Sequence, residues 1–142
     1  MTDRVAFARI SEAPIGTDEC AAAVASADAG AVVTFVGVVR NHDEGRDVVS
    51  LDYTAHPSAT EVIQSVAWFV ADEFPTVSIA VAHRVGKLVV GDIALACAVS
   101  SAHRAEAFAA CARLVDAVKE SVPIWKEQHF ADGTTEWVAS LG

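Results

Sequence analysis

The sequence predicts an α+β fold in which about three helices pack on mostly antiparallel strands. Three observations lead there. Runs rich in β-branched apolar residues, such as 31–39 and 92–100, have strand length and lack helical spacing. Between such runs lie segments whose apolar residues recur three and four apart, bounded by capping and breaking residues. The last twenty or so residues then read as two strands joined across Asp132-Gly133, a hairpin connection.

Taken in order, residues 5–10 form a first strand. Thr17 caps a helix to about Ala29, with Asp18 and Glu19 favourably placed at its positive end, and Gly30 ends it. Residues 31–39 read as a buried strand because the run is almost continuously apolar. The polar stretch 40–46 is a turn-rich loop, and 48–55 the next strand. Pro57 suits the first turn of a helix reaching about Glu73, with Val62, Val66, Phe69 and Val70 on its apolar face; Phe74-Pro75 stops it. Residues 77–85 and 92–100 are strands, separated by Lys87-Leu88-Val89-Val90 between two glycines. Ser101 is a cap for a helix over 102–121. Its stripe is Phe108, Cys111, Ala112, Val115, Val118 and Val122, and Pro123 ends it. Strands at 124–130 and 135–139 complete the chain.

The 142 residues are the size of one domain, and 53% hydrophobic content is enough to bury a core. A net charge of −9 disfavours nucleic acid and anionic membrane surfaces as partners. Any anion the chain binds must be held by a local basic cluster. Only three lysines exist, and two of them, Lys119 and Lys126, fall close together. The three cysteines form no C-x-x-C pair, so neither a zinc site nor a disulfide framework is expected. The N-terminus has no basic stretch leading into an apolar one, and no apolar run reaches the ~18 residues of a membrane helix. The expected setting is cytoplasmic.

Four places hold polar residues that the fold does not require. Arg40-Asn41-His42 follows a strand; it is either a solvated loop or a rigidly placed guanidinium suited to phosphate. His103 and Arg104 open a helix, where cations are unfavourable unless an anion joins them on the free N–H groups. Lys119 sits in the last turn of that helix and borders its apolar stripe. The dipole alone favours a lysine there, whereas partial desolvation would lower its pKa and fit it for acid/base or nucleophilic work. In the strand after Pro123, alternation puts Lys126 and Gln128 on one face and Trp125 and Glu127 on the other. A strand leaving a helix end folds back near it, so Lys119 and Lys126 can converge. His83-Arg84 ends a strand and reads as structural or as a lesser site element. No P-loop, G-x-G-x-x-G or G-x-S-x-G motif is present, and no His/Asp/Glu set has metal-ligand spacing.

These residues together resemble a known family. Val33-Thr34-Phe35-Val36-Gly37-Val38-Val39-Arg40-Asn41-His42, His83-Arg84-Val85-Gly86, Gly91-Asp92, Ser101-Ala102-His103-Arg104, and Lys119 followed by Pro123-Ile124-Trp125-Lys126-Glu127 look like the large, catalytic subunit family of molybdopterin synthase. Each piece is weak alone, but all occur in order from about Gly30 to Trp137. The sequence ends at Gly142, where many members of that family continue into a longer polar tail.

The resemblance implies an α/β hammerhead-type fold and a homodimer at the core of a heterotetramer. It implies a small ubiquitin-like sulfur-carrier partner whose Gly-Gly C-terminus carries a thiocarboxylate. Sulfur would pass from that tail to cyclic pyranopterin monophosphate, building the dithiolene of molybdopterin with no cofactor and no metal. By position, Lys119 would be the main catalytic lysine and Lys126 its partner. Arg40, His103 and Arg104 would bind the substrate phosphate, the last two from across the dimer. Val38 and Val39 would line the pocket, and Glu127 and Gln128 would flank Lys126. A pocket of cations acting on two anions, with borrowed sulfur, needs no reactive cysteine of its own. The rival reading is a non-catalytic module that only docks a ubiquitin-like partner.

Overall fold

The computed structural model describes residues 4–139. Its elements in chain order are β1 (Val5–Ser11), α1 (Thr17–Val24), β2 (Ala31–Val38), β3 (His42–Asp43), β4 (Arg46–Ala55), α2 (Ala59–Glu73), β5 (Ser78–Arg84), β6 (Gly86–Val89), β7 (Ile93–Ser101), α3 (Arg104–Ser121), β8 (Ile124–Phe130) and β9 (Thr135–Ala139). They form two sheets. The first has the order β1-β5-β7-β2, and the second the order β3-β4-β8-β9 with β6 also on β4. Among the described residues only the β1–β5 pair is parallel. The expected α+β class with three helices is what forms.

The centre of the first sheet explains its own sequence. In β5 and β7 nearly every residue is buried, because helices cover both faces. Ala80, Ala96 and Ala98 face the short α1, where Cys20 and Val24 pack. Ile79, Val81, Leu95, Cys97 and Val99 face α2 and α3. Small side chains thus lie under one helix and large ones under two. Each fully buried Val, Leu or Ile contributes ~1.5–3 kcal/mol of transfer free energy.

Several sequence expectations shift in ways that packing accounts for. The first helix ends at Val24 rather than Ala29, since Ala25 is already extended. Beyond Val24 the segment has no large apolar side chain to bury, and a Ser26–Ala29 turn replaces the helix. Thr17 is the first helical residue and Gly16 the cap; Ser101 closes β7 and His103 caps α3. Helix α2 starts at Ala59 after a turn containing Pro57 and Ser58. Phe69 and Phe108 lie exposed beside their stripes, while Ile63, Ala67, Ala110 and Leu114 are buried.

The polar stretch 40–46 is a tight hairpin, not an irregular loop. β3 pairs with the start of β4 around Glu44-Gly45, both with positive φ, as the twist of a two-residue hairpin demands. The connection 87–90 contributes β6, which pairs with β4. Strand β2 is not buried on both faces. It is an edge of its sheet, with Val32, Val36 and Val38 pointing outward and exposed.

Candidate functional site

Where the two sheets meet beneath the end of α3, they enclose a cavity of about 340 Å³. Its walls come from Gly37 and Val38 at the end of β2, Val39 and Arg40 just after it, Val48, Leu51 and Tyr53 of β4, His83 of β5, Ala94 and Leu95 of β7, Val118 and Lys119 of α3 with Val122 at its end, and Ile124, Lys126 and Gln128 of β8. Three cationic side chains from three separate segments therefore share one space.

Each is positioned by backbone the sequence makes rigid. Val39 donates its N–H to Asp92 O at 2.9 Å and accepts from Gly91 N–H at 2.8 Å, which fixes the chain just before Arg40. Arg40 then reaches Asp43 Oδ1 at 3.3 Å. Lys119 follows the buried Val118 in the last turn of α3, and Val122 continues the fixed helix end by donating to Val118 O. Lys126 stands opposite Tyr53 across the β4–β8 ladder, so strand pairing sets its height in the cavity. Gln128, two residues on and on the same face, donates from Nε2 to Asp43 Oδ2 at 2.8 Å.

The electrostatics follow from this crowding. Burial pushes the Lys126 ammonium below its ordinary pKa; the charges of Arg40 and Lys119 push the same way, and Asp43 and Glu136 oppose them. Asp43 is held below the usual carboxylate range, first by the Gln128 hydrogen bond and then by Lys126, Arg40 and His42. Of the two readings open for Lys119, a dipole-favoured helix-end lysine and a desolvated one, the exposed side chain fits the first; Lys126 is the half-buried lysine. Val115 and Val122 border Lys119 without covering it. Such a cluster of cations in a walled space is a receptor for an anion.

Of the residues singled out from sequence, Val38, Val39, Arg40, Lys119, Lys126 and Gln128 come together in the cavity. Glu127 does not line it. It faces the other side of the sheet near His129, at 3.7 Å, while His129 is 2.7 Å from Asp52. Those three are the one group among the described residues whose potential ligand atoms lie within 4.8 Å of one another. Period-two alternation had already put Glu127 opposite to Lys126. His103 and Arg104 are exposed at the start of α3. Fifteen helical rises separate Arg104 from Lys119, roughly 22 Å along the axis, so neither His103 nor Arg104 reaches the cavity of its own chain.

His83 and Tyr53 are cavity residues that the sequence marked weakly or not at all. Their signal was alternation: His83 shares the face of Ile79 and Val81, which looks toward α3. His83 is 6% exposed, and its ring meets that of Tyr53 edge-on at 5.0 Å.

Two sheets and three helices that enclose a cationic cavity make this an α+β protein with a site suited to an anionic ligand. The family model described as MoaE protein matches residues 10–121. The molybdopterin synthase catalytic subunit of a Nostoc species is 40% identical over 132 residues, covering 92% of this chain and 80% of the relative. The crystal structure of molybdopterin synthase from Staphylococcus aureus superposes with a TM-score of 0.86 at 32% identity, covering 94% of this chain and 97% of the other. A Helicobacter pylori structure, titled a protein–protein complex of subunits 1 and 2 of molybdopterin-converting factor, shares the fold with a TM-score of 0.68 at 20% identity, over 92% and 88% of the two chains. The chain belongs to the MoaE protein family, the family of molybdopterin synthase catalytic subunits.

Proposed function

We propose that this chain, as one domain over residues 1–142, transfers sulfur from the C-terminal thiocarboxylate of a small ubiquitin-like subunit to cyclic pyranopterin monophosphate, forming the molybdopterin dithiolene. The observation that carries the reading is the meeting of Arg40, Lys119 and Lys126 in one cavity. Both reactants are anionic, and the rest of the protein is acidic, so these cations are where they would be held.

Lys119 and Lys126 are the catalytic pair. Lys119, at the accessible rim, supplies and removes protons and steadies charge at the carbon that receives sulfur. Lys126, deeper and partly desolvated, holds the carboxyl-derived tail or the substrate anion. Arg40 takes the phosphate, Val38 and Val39 wall the pocket, and Gln128 anchors the Asp43 hairpin. Glu127 flanks Lys126 from the outer face. The sulfur belongs to the partner, which suits a chain whose cysteines 20, 97 and 111 are all buried.

His103 and Arg104 enter the site from a second copy. Strand β2 runs from the His103 end of the fold to the Arg40 end, about 26 Å for eight residues. Its exposed valines and open edge are an apolar strip that a second copy would cover. A twofold-related β2 running antiparallel along this edge would bring the partner's β2 start, with its neighbouring α3 start, toward the cavity. The assembly is thus a homodimer that binds two small subunits, a heterotetramer, in the cytoplasm. Among the described residues no helix is long and apolar enough to cross a membrane.

The test is reconstitution: the chain, a thiocarboxylated small subunit and cyclic pyranopterin monophosphate, with dithiolene formation as the readout. Turnover that depends on the thiocarboxylate is expected. Turnover without any partner, or none with it, would reject the reading.

A further inference from the structure

Most of the charged machinery in the cavity can only donate hydrogen bonds. Arg40, Lys119 and Lys126 present N–H groups and no lone pairs. They answer a phosphate or a carboxyl-type tail, but they cannot tell one phosphorylated molecule from another. A pterin is distinguished by its ring N–H and amino groups, which are donors and need an acceptor.

His83 is placed to be that acceptor. It ends the pocket-facing row of β5 and forms part of the cavity wall while staying almost wholly buried. Its Nδ1 lies 2.8 Å from Arg84 O. A carbonyl only accepts, so Nδ1 carries the hydrogen, and in the neutral ring Nε2 bears a lone pair. Burial keeps the ring neutral, pushing the pKa down to about 4; the Arg84 carbonyl opposes this, and the Lys119 charge reinforces it. The Tyr53 ring, edge-on at 5.0 Å, further limits how the imidazole can turn. The groups around it are thus Lys119 from α3, Tyr53 from β4, and the backbone of Arg84. Among the described residues, the His83 side chain makes its one hydrogen bond through Nδ1.

We propose that Nε2 of His83 accepts a hydrogen bond from a ring N–H or amino group of the bound pterin, making His83 a specificity-determining residue of the site. This rests on the function proposed above. Its Nδ1 bond to Arg84 fixes the tautomer that makes Nε2 an acceptor, the arrangement by which a buried imidazole is committed to one role.

Two substitutions separate the two ring nitrogens. In His83→Gln the amide lies where Nε2 was, and its oxygen can still accept from the ligand. In His83→Asn the amide lies where Nδ1 was and keeps the Arg84 bond alone. Binding of cyclic pyranopterin monophosphate is measured by calorimetry on the full chain, alongside binding of inorganic phosphate. The Asn variant should lose about tenfold in pterin affinity while the Gln variant stays within about threefold, and phosphate affinity should hold in both. The reverse order, with Asn native-like and Gln weakened, would assign the histidine a purely structural role and overturn the inference. Equal affinities in all three proteins would overturn it as well.

A measurement on the unsubstituted chain removes any dependence on variant folding. With 15N-labelled histidine, the unprotonated Nε2 resonance of His83 should move when the pterin is added and stay put with inorganic phosphate. An Nε2 signal unmoved by a pterin that demonstrably binds would overturn this inference and leave the proposed function intact. Wild-type protein that binds no pterin at all would overturn both.

Discussion

Gln128 Nε2 donates to Asp43 Oδ2 at 2.8 Å, tying the inner face of β8 to the hairpin that follows Arg40. Asp43 also meets Arg40 at 3.3 Å, so one carboxylate fixes two walls of the cavity. Asp43→Ala should therefore cost about 1–2 kcal/mol at neutral pH, measured by urea unfolding. The sign of the pH dependence is set by the depressed Asp43 pKa: its stabilisation is full above the ordinary value of 3.8 and fades as pH falls through the lower folded value. The gap between wild type and variant should close in acid. A gap that is constant from neutral pH down to full protonation would mean that the carboxylate's charge is irrelevant.

Lys126 carries the opposite linkage. Its folded pKa is lowered, chiefly by burial, so the fold disfavours the ammonium, and stability from this group rises as pH climbs through the folded value. An anion in the cavity opposes that preference and raises the pKa again. In the pH range around the lowered pKa, binding of the phosphorylated substrate should therefore take up protons, and it should weaken as pH rises through that range. Calorimetry in buffers of different ionisation enthalpy reads the uptake. In Lys126→Gln the uptake from this group should vanish and affinity should fall about tenfold or more. Unaltered proton uptake in that variant would shift the titration to another group.

How much of this was legible beforehand differs from place to place. The hairpin of β8 and β9 was readable to the residue, because Pro123 and Asp132-Gly133 punctuate it and the pattern has a single period. The convergence of Lys119 and Lys126 was readable as plausible, since a strand must fold back beside the helix it leaves. Which lysine is desolvated was not readable. That depends on Tyr53 standing opposite Lys126, a pairing between residues more than seventy apart in the chain. The edge position of β2 was hidden for a related reason. Valines that await a partner read the same as valines covered within the chain. His83 was underweighted because one histidine ending an apolar strand carries no motif of its own.

Gly30 matters through close packing, not through helix termination. It is not a helix terminator, since α1 has ended six residues earlier. A Cβ at this position would sit 2.6 Å from Ala102 O, against the backbone that leads into His103 and Arg104. Gly30→Ala must push that backbone away, at a cost of about 1–3 kcal/mol in thermal or urea unfolding. If the start of α3 serves a second copy's cavity as proposed, the substitution should also weaken substrate binding, although Gly30 lies far from Lys119 of its own chain. Normal stability would show that this segment yields freely.

The roughly 22 Å between Arg104 and Lys119 within one chain makes the sharing of sites directly testable. Lys119→Ala should reduce dithiolene formation by at least about a hundredfold while leaving small-subunit binding intact. Arg104→Ala should weaken substrate binding with little change in melting temperature, since the side chain is exposed. If Arg104 serves the neighbouring protomer's cavity, the two impaired variants complement each other when assayed at substrate levels too low to saturate the Arg104→Ala protein. A mixed dimer then has one cavity with both defects and one with neither. Random co-assembly makes half the dimers mixed, so about a quarter of wild-type activity should return when the variants are co-expressed. Separately purified and unexchanged, the same two proteins should show together no more than the sum of their separate activities. Activity no higher than that of the singles after verified mixing would confine Arg104 to its own chain, where the helix keeps it out of reach of the chemistry.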